Sequence, residues 1–151
     1  MKGQRGLRDE VRMLASSCAG LTIRQAARRM TQVYESVLQD SGLSVAQLGL
    51  MAVIATHEDD HMAALAEQAG LDPSTLSRNL RGLERDGLVE IASVEKDLRR
   101  RAVWLTENGL RRLQAALPAW REAQARMAEL FPAELLQRLA AASEKLARQN
   151  E

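Results

Sequence analysis

Ser74, Thr75, Ser77, Arg78, Asn79 and Arg81 place six hydrogen-bonding side chains within eight consecutive residues of a 151-residue sequence. These types suit recognition rather than catalysis. Arginine can take guanine, and asparagine adenine, by paired hydrogen bonds to a base edge, while hydroxyls suit phosphate oxygens. A second charged run, EKDLRRR, follows at 95–101. His57-Glu58-Asp59-Asp60-His61 matches H-E-x-x-H, in which two histidines bind zinc and the glutamate is a general base. That chemistry needs all five residues on one helix, whereas Asp-Asp favours a turn. A solvated acidic turn with incidental histidines and no metal is the expectation, and a zinc-dependent hydrolase using His57, Glu58 and His61 the alternative. Cys18 is the one thiol, which excludes an internal disulfide and leaves redox sensing as its candidate chemistry.

The six recognition side chains need a helix. Asp72 is a strong N-cap and Pro73 suits the first helical position, so a helix is predicted over 73–85. Leu76, Leu80 and Leu83 form its core stripe, opposite the polar face. A short Ala-rich helix, MAALAEQ, precedes it and is closed by Gly70. Asp86-Gly87 ends it, and strands at 88–91 and 102–105 flank the charged tip 95–101. Two short helices and a basic β-hairpin make a winged helix-turn-helix, a reader of double-stranded DNA.

The flanks read as helices. One long helix is predicted over 7–39, with Leu14, Leu21, Ala27 or Arg28, and Tyr34 facing the core and Gly20 as a weak point. Ser44 and Gln47 form a capping box for a helix to Thr56, whose apolar side is Leu48, Met51, Ala52 and Ala55. Thr106 caps a helix to Leu130 carrying Leu110, Leu113, Leu117 and Trp120, and Pro118 predicts a kink or break near Leu117. A last helix, 133–149, carries Leu135, Leu136, Leu139, Ala142 and Leu146. Long helices with apolar stripes need a partner surface, and a second copy supplies one. The expected fold is mainly α with a small β-wing. A winged helix-turn-helix at 44–106 is flanked by dimerisation helices at 7–43 and 107–151, and the chain acts as a homodimer.

Composition agrees: 46% hydrophobic and 27% charged residues describe a globular protein. Nothing approaches the roughly 20 apolar residues of a membrane span, and no signal peptide is evident. A cytoplasmic protein without membrane partners is expected. Formal net charge is only +1, but it is unevenly spread. Residues 1–35 carry +4, residues 36–73 carry −6, residues 74–112 carry +3 and the remainder balances. A local basic face on a nearly neutral chain suits site-specific binding.

DPSTLSRNLRGLERDGLV, then a wing containing Asp97-x-Arg99-x-Arg101, then Leu105-Thr106-Glu107-Asn108-Gly109, resembles the multiple antibiotic resistance regulator (MarR) family. IRQAARRMTQVYE, GLSVAQLGLM and ALPAWREAQ extend the resemblance over nearly the whole chain. It implies a dimeric transcription factor, usually a repressor, released from a pseudo-palindromic operator by a small ligand or by oxidation. One departure is Ala63, where the family often has a small polar cap. Ser74, Thr75 and the free N–H groups of their helix are expected on phosphates, as are Ser77 and Arg81, with Arg78 and Asn79 on bases. Arg99 is expected in the minor groove, with Asp97 holding an arginine in place. Lys96 and Arg101 complete the wing, and Arg100 reads equally as a solvated charge. The family's pockets lie between dimer helices and winged unit, which implies Thr22, Arg24, Gln25, Met51, Trp104 and Trp120. Arg24 or Arg28 would pair an anionic effector such as an aromatic acid. No cofactor is expected. Peroxide-sensing members carry a first-helix cysteine that aligns with Gly20, not Cys18, and Arg24 replaces one tyrosine partner while Tyr34 is retained. Two residues along a helix turn about 200°, which would put Cys18 on nearly the opposite face.

Overall fold

The structure, a computed structural model, describes residues 2–57, 61–94 and 97–149, with side chains for 6–57, 61–92 and 101–149. The chain runs α1 (Lys2–Ser17), α2 (Ala19–Leu38), a 3-10 turn (Gln39–Ser41), α3 (Val45–Thr56), α4 (Met62–Ala69) and α5 (Pro73–Arg85). It continues with β1 (Val89–Val94), β2 (Asp97–Leu105), α6 (Glu107–Leu130) and α7 (Ala133–Arg148). This is the mainly α fold with a small β-wing that the sequence predicts. Among the described residues no single helix is long and apolar enough to cross a membrane.

Local capping chemistry sets the middle of the chain. Ser44 accepts the Gln47 N–H while Gln47 accepts the Ser44 N–H, closing the capping box of α3. Gly42 and Gly70 take the left-handed conformation that ends the 3-10 turn and α4. The core lies beneath α5, where Leu76, Leu80 and Leu83 are each 2% exposed or less. Leu38, Leu48, Met51 and Ile54 meet them from α2 and α3. Each fully buried leucine contributes about 1.5–3 kcal/mol relative to an exposed one. Ala52 and Ala55, predicted on the apolar side of α3, are exposed, and Leu50 and Ile54 are buried instead. The winged unit wraps a different face of this nearly all-apolar helix.

The predicted long first helix is two helices. Cys18 has ψ 113°, an extended value that breaks the rod between α1 and α2. The Ser16 and Ser17 hydroxyls both donate to Met13 O, competing for a helical acceptor just before the break. Leu14, Leu21, Ala27 and Arg28 are exposed rather than core-facing, and only Tyr34 of that predicted stripe packs on the core. Among the described residues no other element packs extensively on α1, which carries Leu14.

Pro118 does not break α6, which continues unbroken to Leu130. The carbonyl of Gln114 loses a helical donor, but Gln114 and Pro118 are both exposed, so water can take it. The buried face of α6 is Gly109, Ala116, Ala123 and Met127, whereas Leu110 and Trp120 are exposed and Leu113 and Leu117 half-buried. Small residues win that face because α2 packs closely along it. On α7, Leu135, Leu136, Leu139 and Leu146 remain 39–61% exposed.

Candidate nucleic-acid interface

The first turn of α5 is held by one carboxylate. Asp72 accepts the N–H groups of Ser74 and Thr75 at 3.0 and 2.9 Å, and both of their hydroxyls at 2.6 Å. Pro73 has no N–H, and Leu76 N–H donates to Asp72 O. The helix N-terminus therefore has no spare amide for a phosphate, and the Ser74 and Thr75 hydroxyl protons are already given to Asp72. This corrects the expectation that free N–H groups and those hydroxyls greet the DNA backbone. The lone pairs of the two hydroxyls stay open to base amino groups.

The same four hydrogen bonds, led by the Ser74 and Thr75 hydroxyls, hold the Asp72 carboxyl well below the usual carboxylate range. A carboxyl depressed in the folded state stabilises it at pH values above its unfolded pKa, and that contribution fades as pH falls toward the folded value. Asp72→Asn, which retains a capping oxygen but no charge, should flatten the acid limb of a thermal-denaturation series between about pH 5 and 2. An unchanged acid limb would remove the carboxylate from this role.

Ser74, Arg78, Arg81 and Arg85 fall at i, i+4, i+7 and i+11 and share one outward concavity of about 550 Å³. All four are exposed, directly opposite Leu76, Leu80 and Leu83. Among the described residues Arg78 makes no hydrogen bond or ion pair, whereas Arg85 Nε lies 3.6 Å from Asp86. Arg85 was missed by the sequence reading, although its i+4 spacing from Arg81 and i+7 from Arg78 already placed it on this line. Arg81 Nη2 donates to Ser77 Oγ at 3.1 Å, and the pair borders a groove of about 520 Å³ with Glu84 and Arg101. That groove separates α5 from the hairpin. Asn79 leaves the arginine line: it is half-buried and lines a cavity of about 270 Å³ against α3 and α4.

The hairpin is antiparallel, with Val89 opposite Leu105, Glu90 opposite Trp104 and Ser93 opposite Arg101. An irregularity between Ser93 and Val94 lets Val94 face Asp97, so β2 begins at Asp97 rather than at the predicted Ala102. Backbone pairing extends into the charged run because side-chain charge does not prevent a ladder at a solvated edge. Asp97, Arg99 and Arg100 thus lie on β2, with side chains outside the described residues, and Lys96 lies wholly outside them. Arg101 is exposed.

The six predicted effector residues are spread over α2, α3, β2 and α6. Thr22, Arg24 and Gln25 are exposed on α2, with the Thr22 hydroxyl bonded to Cys18 O, and Met51 is fully buried in the core. Trp104 sits on the hairpin and donates to Glu90 at 3.1 Å. Trp120 lines an apolar cavity of about 260 Å³ with Val45, Leu48, Gly49, Ala52, Leu113 and Leu117. Cys18 is half-buried at the helix break, and a Cβ on Gly20 would stand 3.9 Å from its sulfur. The two positions are neighbours, because the break removes the helical rotation that would have separated them. Tyr34 donates its hydroxyl to Gln124, and its burial raises its pKa.

The zinc pattern fails as geometry. His57 ends α3 and His61 precedes α4, both with extended backbone, so they do not stand one helical turn apart. His57 Nδ1 instead meets Gln68 Oε1 at 2.7 Å. Glu58, Asp59 and Asp60 lie outside the described residues, and no cluster of three metal-ligating side chains occurs among those described.

Residues 41–100 match the family model described as MarR family. The transcriptional regulator HosA of Escherichia coli is 35% identical over 96 residues, covering 64% of this chain and 70% of that regulator. An organic hydroperoxide resistance transcriptional regulator of Bacillus subtilis is 30% identical over 84 residues, 56% of this chain and 57% of the relative. The crystal structure of the Mycobacterium tuberculosis transcriptional regulator MosR in complex with DNA superposes with a TM-score of 0.81. It is 34% identical and the match covers 89% of this chain and 99% of that one.

Proposed function

The chain belongs to the MarR family of transcriptional regulators, and from that premise we propose that it is a homodimeric, ligand-responsive repressor reading a pseudo-palindromic operator. The observation that carries the reading is the exposed line Ser74, Arg78, Arg81 and Arg85 on a helix whose other face is anchored in the core. Arg78, without a hydrogen bond or ion pair among the described residues, reads a base edge in the major groove. Ser77, Arg81 and Arg101 border the groove through which a phosphate strand passes between α5 and the hairpin. Ser74 and Thr75 accept from base amino groups, Arg85 takes a phosphate, and Asn79 supports α5 from behind. Arg99 enters the minor groove from the wing, with Asp97 fixing an arginine and Lys96 a further DNA contact. Such a protein works in the cytoplasm on DNA and catalyses nothing.

A second copy covers the apolar faces left open by one chain. Leu7, Val11, Leu14 and Ile23 near the N-terminus and Leu135, Leu136, Leu139 and Leu146 on α7 are all 39% exposed or more. Two-fold pairing through them would present two α5 helices to successive major grooves, about 34 Å apart. The effector enters the cavity walled by Leu48, Leu117 and Trp120, whose apolar lining suits an aromatic ring. Aromatic acids are the first class to test. A ligand of that class at 100 times its Kd should add about 2.7 kcal/mol to stability, seen as a raised melting temperature that Trp120→Ala abolishes.

Footprinting of the DNA flanking its own gene, followed by a gel-shift series in salt, tests the core of the proposal. Arg99→Ala should weaken binding to all sequences alike and reduce the slope of log affinity against log salt by about one. No footprint at all would leave only a dimerising helical scaffold.

A further inference from the structure

Glu35 stands on the last turn of α2, one residue beyond Tyr34, and the two side chains hold different partners. Tyr34 donates to Gln124 and so ties α2 to α6, the helices that lead into α1 and α7 with their open apolar faces. Glu35 Oε1 accepts the backbone N–H of Val45 at 3.0 Å, across the 3-10 turn and onto the first residue of α3. Successive residues on a helix point about 100° apart, which is why one turn of α2 can grip both neighbours. The capping box leaves the Val45 N–H to Glu35, since it serves Ser44 and Gln47. A carboxylate there is also favoured by the positive end of the helix dipole.

α3 is the beam of the reading head, packing on α4, α6 and β2. Its 12 residues span about 18 Å, so a tilt of about 10° at the Glu35 joint moves its far end by about 3 Å. That is close to the roughly 3.4 Å rise of one base pair. We propose that Glu35 is a positioning residue for half-site spacing, fixing the angle between the dimer arm and the head through the Val45 N–H. The inference rests on the homodimeric reading above. Glu35 touches no DNA; it acts by restraining where α5 can stand relative to its copy.

The test measures affinity for duplexes carrying the footprinted operator with its half-sites moved by −1, +1 and +2 base pairs. Alongside these goes a duplex with one half-site. Glu35→Ala should lower the preference for the natural spacing by about fivefold while leaving half-site affinity unchanged. Glu35→Gln, which keeps an acceptor oxygen, should restore the natural profile. Val45→Pro attacks the donor instead. Proline suits the first helical position, and Ser44 already has the extended backbone that precedes it, with ψ 158°. It should flatten the profile like Glu35→Ala, even if the alanine variant does not fold. A spacing profile unchanged in the folded variants, or equal loss on the half-site duplex, overturns the inference while leaving the dimer intact. Sedimentation of the wild type as a monomer overturns both together.

Discussion

Gly109→Ala should lower the melting temperature by about 4–12 °C, corresponding to roughly 2–3 kcal/mol of overpacking strain in a chain of this size. A Cβ at Gly109 would stand 2.0 Å from Leu88 O and 3.0 Å from Leu88 C, a collision with backbone that no rotamer change relieves. The glycine has no left-handed backbone to explain it. The constraint is space. Leu88 O accepts the Thr106 N–H at 3.0 Å, the Thr106 hydroxyl donates to Gly87 O at 2.8 Å, and Gly109 N–H donates back to that hydroxyl at 2.9 Å. This clasp pins the start of α6 against the turn that links α5 to β1, and α6 can approach so closely only without a side chain. Displacing Leu88 would move the base of the wing and the end of α5, so DNA affinity should fall with stability. Gly49→Ala is the contrasting variant. Nothing lies within 4 Å of its added Cβ, and alanine in mid-helix should raise stability by up to about 1 kcal/mol. If Gly109→Ala melts like wild type, the clasp is not rigid.

Arg78→Ala should relax base preference within each half-site by about 1–3 kcal/mol, the cost of losing a bidentate contact to one base. Arg81→Ala and Arg85→Ala should instead weaken binding evenly across sequences and each reduce the salt slope by about one. The contrast follows from their surroundings. Arg78 is unengaged among the described residues, while Arg81 is tethered to Ser77 and Arg85 lies beside Asp86. Competitive selection from a randomised half-site gives the readout. A selected consensus identical for wild type and Arg78→Ala would place base reading elsewhere, with Asn79 or the wing the next residues to replace.

The local sequence by itself determined α3, α4 and α5, whose ends lie where Ser44, Gly70 and Asp72-Pro73 put them. Caps and left-handed glycines act within one turn, so their effect is complete before any distant residue arrives. Leu76, Leu80 and Leu83 were legible for the same reason, as helical spacing alone lines them up. Tertiary packing decided the rest. It set which face of α6 is buried, since only α2 lying alongside made Ala116 and Ala123 core and left Leu110 outside. It turned Asn79 toward α3 and scattered the six predicted effector residues, because helical spacing orders residues around one axis but says nothing of the neighbour each faces. It left the α5 N-terminus filled by Asp72, so the N–H groups and the Ser74 and Thr75 hydroxyls first read as phosphate donors are engaged in a sealed cap beside a line of three arginines.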